Sequence, residues 1–160
     1  MEEIILVLGN NYEEMLFNIE KSSAYKSNKL KIVYNKKYED GLSTSIVSGI
    51  KNIKYKKNSI MICLGDMPLI NLKTYNKIID CALKINSRSI IIPHYKKKKG
   101  NPILFSAHFK NDLCNLKGDK GASLILKKFE KDIIKLNCMD SGILKDIDNK
   151  VDFEHYINEL

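Results

Sequence analysis

Residues Cys63 to Ile70 read CLGDMPLI. An apolar run, Ser59 to Leu64, delivers one carboxylate, Asp66, into a turn framed by Gly65 and Pro68. Two readings fit those residue types. Glycine supplies unusual φ, proline fixes φ near about −65°, and aspartate tolerates turn geometry, so the stretch can be a plain turn. The carboxyl end of a strand in an open α/β sheet is also where ligands bind. A carboxylate held there by a rigid strand is a hard-oxygen ligand suited to Mg²⁺ beside a phosphate.

The elements that must position Asp66 follow from the apolar spacing. Ile4 to Leu8 is a short β-branched run that predicts a buried strand. Asn10 or Asn11 can cap a helix carrying Met15, Leu16 and Ile19. Leu30 to Tyr34 predicts a second strand, Asp40-Gly41 a turn, and Ser43 the cap of a helix carrying Ile46, Val47 and Ile50. Ser59 to Leu64 predicts a third strand, and Leu72 to Ile85 a helix with one apolar face. Further strands are predicted at Ser89 to Pro93, Pro102 to Phe105, Asp132 to Cys138 and Leu144 to Ile147. Helices are predicted over Ala107 to Leu116, up to Phe129, and over Val151 to Leu160. This alternation implies an α/β fold with a mostly parallel sheet and helices on both faces.

The 160 residues fit one domain, 1–160, long enough to bury a core. No apolar run approaches the roughly 20 residues needed to span a bilayer, and no basic signal-like start is present, so the expected location is cytoplasmic with no membrane partner. The cysteines, Cys63, Cys81, Cys114 and Cys138, form no CxxC pair and lie among apolar residues, which predicts buried thiols. The histidines, His94, His108 and His155, are scattered and suggest no metal cluster. The formal charge of +8 favours an anionic ligand. Nucleic acid is disfavoured, because no recognisable reader motif is present. The run Lys96 to Lys99 reads as a solvated hairpin tip.

Four stretches, in order, resemble one family: NKKYEDGLSTSIVSGI (35–50), LGDMPLI (64–70), KGNPILFSAHF with LKGDKGASLIL (99–126), and LKDIDNKVDF (144–153). Together they resemble the MobA-like nucleotidyltransferases of molybdenum cofactor biosynthesis, and most closely the cytidylyltransferase branch. The resemblance implies a Rossmann-like, three-layer, GT-A-like fold and transfer of CMP from CTP, or another NTP, to a molybdopterin-type anionic acceptor, with pyrophosphate release. It implies Mg²⁺ held by Asp66 and Asp148, which would then approach within bridging range of one cation. Asp148 has a second reading as the cap of the last helix. Gly41, Ser43 and Ser45, with Asp66, match the nucleotide-binding positions. Gly100, Asn101 and Pro102, together with Gly118, Asp119 and Gly121, match the substrate loops. Plain turns are the alternative reading for both loops, and a plain N-cap for Ser43.

One family motif has no counterpart. The Gly-rich LAAGxSxRMG loop that cradles the triphosphate is absent, and IILVLGNNYEEM resembles the family's second strand rather than its first. A fold truncated at its N-terminus, lacking a strand near the sheet centre, is therefore expected. A fragment, a split enzyme completed by a partner chain, and a degenerate relative stay open. So do two alternative functions: a non-catalytic nucleotide- or pterin-binding accessory of a molybdoenzyme, and a sugar-nucleotide transferase relative.

Overall fold

The computed structural model describes residues 2–55, 58–85 and 87–158, without the side chains of residues 155, 157 and 158. In chain order the elements are β1 (Ile4–Leu8), α1 (Tyr12–Glu20), β2 (Leu30–Tyr34), α2 (Leu42–Lys51), β3 (Ile60–Ile62), α3 (Leu72–Lys84), β4 (Ile90–Tyr95), β5 (Lys98–Lys99), β6 (Ile103–Phe105), α4 (Lys110–Cys114), α5 (Ser123–Lys128), β7 (Ile133–Asn137) and α6 (Lys150–Asn158). They divide into two compact units, Met1–Asn58 with Ala107–Glu130, and Ser59–Ser106 with Lys131–Leu160.

In the first unit β1 and β2 run parallel, from Ile4 opposite Leu30 to Leu8 opposite Tyr34. α1 makes the crossover that a parallel pair requires. α2 lies close on β1, because Gly49 leaves room for Val7; a Cβ there would meet Val7 Cγ2 at 3.2 Å. Leu8, Ile46, Ile50, Leu113 and Ile125 are buried, and the buried ring of Phe109 meets Phe129 edge-on at 5.2 Å. Glu3 ties the end of this segment down by accepting the N–H groups of Lys54 and Tyr55 at 2.9 and 3.0 Å.

In the second unit β6 pairs antiparallel with both β3 and β4, β5 pairs antiparallel with β4, and β7 adds to β4 in parallel. Ile78, Ile91 and Leu104 form one core cluster, and Met67, Ile70 and Ile143 a second. The sheet is thus mixed rather than mostly parallel. The cause is the hairpin from β4 into β5 and β6: its two-residue turn, Lys96-Lys97, is too short for a crossover. Both turn residues take left-handed φ, 47° and 68°, and Lys96 to Lys99 are exposed, as a solvated tip should be. Among the described residues, β1 has β2 as its one sheet neighbour and β3 has β6.

Several expectations are corrected. Leu144 to Ile147 is no strand: a 3-10 turn at Ser141–Leu144 leads into an irregular segment whose backbone bonds elsewhere. Ser43 is not the cap of α2. Gly41 occupies that position with φ 101°, which suits glycine, and Ser43 lies inside the first turn. Asn11 occupies the cap position of α1 in left-handed geometry without a side-chain bond, while Asn10 Oδ1 accepts the Asn11 N–H at 3.0 Å. Cys138 is buried and Cys81 and Cys114 are half-buried, but Cys63 is exposed, one residue past the end of β3 at Ile62. α6 matches the predicted closing helix through residue 158; residues 159 and 160 lie outside the described residues.

Candidate functional site

The first unit collects polar groups around the start of α2. Asn35, buried directly after β2, donates through Nδ2 to Thr44 Oγ1 at 2.8 Å and Ser45 Oγ at 3.0 Å. Its Oδ1 accepts the Lys37 N–H at 3.0 Å. Thr44 Oγ1 also lies 2.7 Å from the Lys37 carbonyl and 2.9 Å from that of Gly41. Ser43 is fully buried, and its hydroxyl has no hydrogen-bond partner. A buried orphan hydroxyl is costly unless something completes it.

The loop carrying Gly118, Asp119 and Gly121 closes on this same helix start. Asp119 Oδ1 accepts the Leu42 N–H at 3.3 Å. Gly41 must stay bare, since a Cβ there would lie 2.7 Å from Asp119 Cα. Gly121, at φ 52°, is packed in the same way on Leu42 Cδ2. A carboxylate on an orphan helix N–H is favourable by charge and by hydrogen bonding. The structure therefore groups Gly118, Asp119 and Gly121 with Gly41, Ser43 and Ser45. Gly100, Asn101 and Pro102 belong to the other unit.

In the second unit the segment 140–147 is stitched along the LGDMPLI loop. Asp140 Oδ2 accepts the Asn71 N–H at 2.9 Å and the buried Thr74 hydroxyl at 2.6 Å, and its Oδ1 accepts the Gly142 N–H at 2.9 Å. Gly142 is packed against the Leu69 carbonyl, and Ile143 enters the cluster of Met67 and Ile70. Gly100 is packed against the Ile143 carbonyl, which accepts the Asn101 N–H at 3.0 Å. At the far end, Ile147 donates its N–H to the Asp66 carbonyl at 2.8 Å. The irregular segment thus touches both the Asp66 loop and the turn at Gly100 to Pro102, and it brings Asp148 up beside Asp66 in the backbone.

Asp66 and Asp148 are both exposed. Capping of α6 falls to Asn149, whose Oδ1 accepts the N–H groups of Val151 and Asp152 at 2.9 and 3.1 Å, so the cap reading of Asp148 is not needed. Among the described residues no group of three or more His, Cys, Asp or Glu is placed to hold a metal. Two carboxylates are a sparse but fitting set for a cation that keeps its waters and takes remaining oxygens from phosphates.

Sequence reasoning missed Asn35 and Asp140. Asn35 stands at the carboxyl end of an apolar strand, the placement that singled out Asp66. Asp140 precedes Ser-Gly, an ordinary turn signal, and nothing local marks its partners at 71 and 74.

An α/β fold with hydroxyls at a helix start and acidic residues after a strand is the arrangement a nucleotidyltransferase needs. The model of the MobA-like NTP transferase domain matches residues 1–133, and the chain belongs to that family. Solved structures share the fold. A homolog of Mycobacterium tuberculosis rv0371c from Mycobacterium sp. strain JC1 superposes with a TM-score of 0.77 at 22% identity, covering 99% of this chain and 75% of that one. Rv0371c of M. tuberculosis, in complex with manganese, gives 0.73 at 20%, covering 99% and 79%. The 4-diphosphocytidyl-2C-methyl-D-erythritol synthase of Anaerococcus prevotii gives 0.73 at 15%, covering 99% and 79%. No curated protein matches. None of the described helices is long and apolar enough to cross a membrane.

Proposed function

We propose that the chain binds a nucleoside triphosphate and serves nucleotidyl transfer, with CTP as donor and a molybdopterin-type anion as acceptor. Asp66 and Asp148 would hold a divalent cation, Mg²⁺ or Mn²⁺, which supplies neutralisation of phosphate charge. The observation that supports this most is the bond from Ile147 N–H to the Asp66 carbonyl, which registers two acidic stretches some 80 residues apart in sequence on one another. Family membership supports an NTP as substrate. The manganese complex of Rv0371c and the cytidyl chemistry in the name of the Anaerococcus enzyme are consistent with the metal and the base.

The roles of this chain's residues follow from the chemistry. Phosphoryl-group transfer asks a protein for alignment and charge neutralisation more than for covalent steps. The α2 start offers hydroxyls and N–H groups to the nucleotide through Gly41, Ser43 and Ser45, with Asp119 beside it on the Leu42 N–H. Gly100, Asn101 and Pro102, tied to Ile143, would shape the acceptor side near the acidic pair.

The test is pyrophosphate release by the purified chain with each NTP and molybdopterin, with and without an added segment carrying LAAGxSxRMG. We expect slow release from the chain alone and stimulation by the added segment, because the LAAGxSxRMG motif does not occur in residues 1–160. Specific CTP binding without release under either condition would replace transfer by an accessory binding role.

A further inference from the structure

A cleft of about 410 Å³ opens at the carboxyl ends of β1 and β2. Three tyrosines, Tyr12, Tyr34 and Tyr38, are among its walls. Tyr12, the first residue of α1, stacks on Tyr34, the last residue of β2, with ring centroids 4.4 Å apart and 28° between planes. Tyr38 lies against Gly9, and only glycine admits it: a Cβ on Gly9 would sit 2.6 Å from Tyr38 Cβ and 2.9 Å from its Cγ. Tyr34 remains 42% exposed despite the stack, and it lines the open cleft. The carboxyl edge of parallel strands is also where α/β folds hold their ligands.

We propose that this cleft seats the base of the bound nucleotide by stacking it on Tyr34. The inference rests on the nucleotide-binding reading given above and adds the place of the ring. Glu13 and Glu14, in the first turn of α1, also line the cleft. Their charge repels a phosphate and tolerates an uncharged ring, which assigns the base rather than the triphosphate to this wall. The chain itself joins the cleft to the polar start of α2. Asn35 follows Tyr34 directly and bonds Thr44 and Ser45, and Tyr38 opens the 3-10 turn that ends at Gly41. The segment 34–41 thus links the tyrosines of the cleft to the hydroxyls of Thr44 and Ser45 through Asn35.

The test is calorimetry of the chain with CTP, with cytidine and with pyrophosphate, for wild type, Tyr34→Ala, Tyr34→Leu and Tyr34→Phe. Base stacking on an aromatic residue predicts CTP and cytidine binding roughly tenfold weaker in Tyr34→Ala. Tyr34→Leu keeps apolar bulk without a π face, guards against a folding defect, and is expected to weaken binding equally. Tyr34→Phe should stay within about twofold of wild type, since the ring is retained. Pyrophosphate has no base, and its affinity should not change in any variant. Unchanged CTP affinity in Tyr34→Ala or Tyr34→Leu would overturn the base seat and leave nucleotide binding standing. Equal loss for CTP and pyrophosphate would overturn it too, as general damage to the site. A wild-type chain that binds no nucleoside triphosphate would remove the nucleotide reading and this inference with it.

Discussion

At the start of α2 the buried polar atoms are neutral. Asn35 satisfies Thr44 and Ser45, and the Ser43 hydroxyl is left over. Around the Asp66 loop they converge on a carboxylate instead, with three donors on Asp140. A charged acceptor with several donors makes stronger bonds than a neutral network and fixes its surroundings before any ligand arrives. A neutral cluster with an unmet hydroxyl keeps capacity in reserve. Substitutions in the acidic region should therefore cost stability first, and substitutions at the α2 start should cost binding first.

The largest effect expected is at Gly142, which is packed against the Leu69 carbonyl, so that an added methyl group must push rigid backbone aside. Gly142→Ala should destabilise the chain by about 2–3 kcal/mol. Gly65→Ala, beside Asp66 but with nothing within 4 Å of the added atom, should change stability by no more than about 0.5 kcal/mol. Urea unfolding of the two variants decides the matter, and equal losses would mean that the segment 140–147 is not held rigidly.

Next comes Asp140 itself. Asp140→Ala strands the buried Thr74 hydroxyl and two backbone N–H groups and should cost about 2 kcal/mol; Thr74→Val, which removes a single donor, should cost about 1 kcal/mol. If both unfold like wild type, the carboxylate does not organise the loop. Asp66→Asn and Asp148→Asn test the other side of the contrast within the same region. Both residues are exposed, so stability should hold within about 0.5 kcal/mol. Mn²⁺ affinity, followed by electron paramagnetic resonance, should fall by at least about tenfold in each. Retained affinity in either variant would take that residue out of the metal site.

The smallest effect is expected at Ser43. Removing a hydroxyl that has no partner should leave stability within about 0.5 kcal/mol of wild type, while CTP binding weakens. A loss above about 1 kcal/mol would show that the hydroxyl is already satisfied and that the α2 start holds nothing in reserve.

Most of the framework was legible because apolar spacing is a local signal. β1, β2, α3 and β7 fall within a residue or two of their predicted ranges, as does the exposed lysine tip. The sheet direction was not legible. Whether β6 runs against β3 and β4 depends on the length of one turn, and a run such as Pro102 to Phe105 reads the same either way. Leu144 to Ile147 misled for a related reason: the apolar residues at its two ends suggest a strand, but the backbone N–H groups of Lys145 and Ile147 go to the Gly142 and Asp66 carbonyls rather than to a ladder. The candidate site divided along the same line. Asp66 was visible from its place after a strand. Asp140 was not, because its partners lie 66 and 69 residues away in sequence.

The Lys96-Lys97 tip has a consequence for anyone redesigning this chain. Both residues sit in left-handed geometry that asparagine and glycine adopt readily and lysine resists. Exchanging the pair for Asn-Gly would relax the bend and take the formal charge from +8 to +6. The gain in melting temperature would come from a place that touches neither core cluster, and amide exchange of the Tyr95 and Lys98 pair should slow as the ends of the ribbon stop fraying.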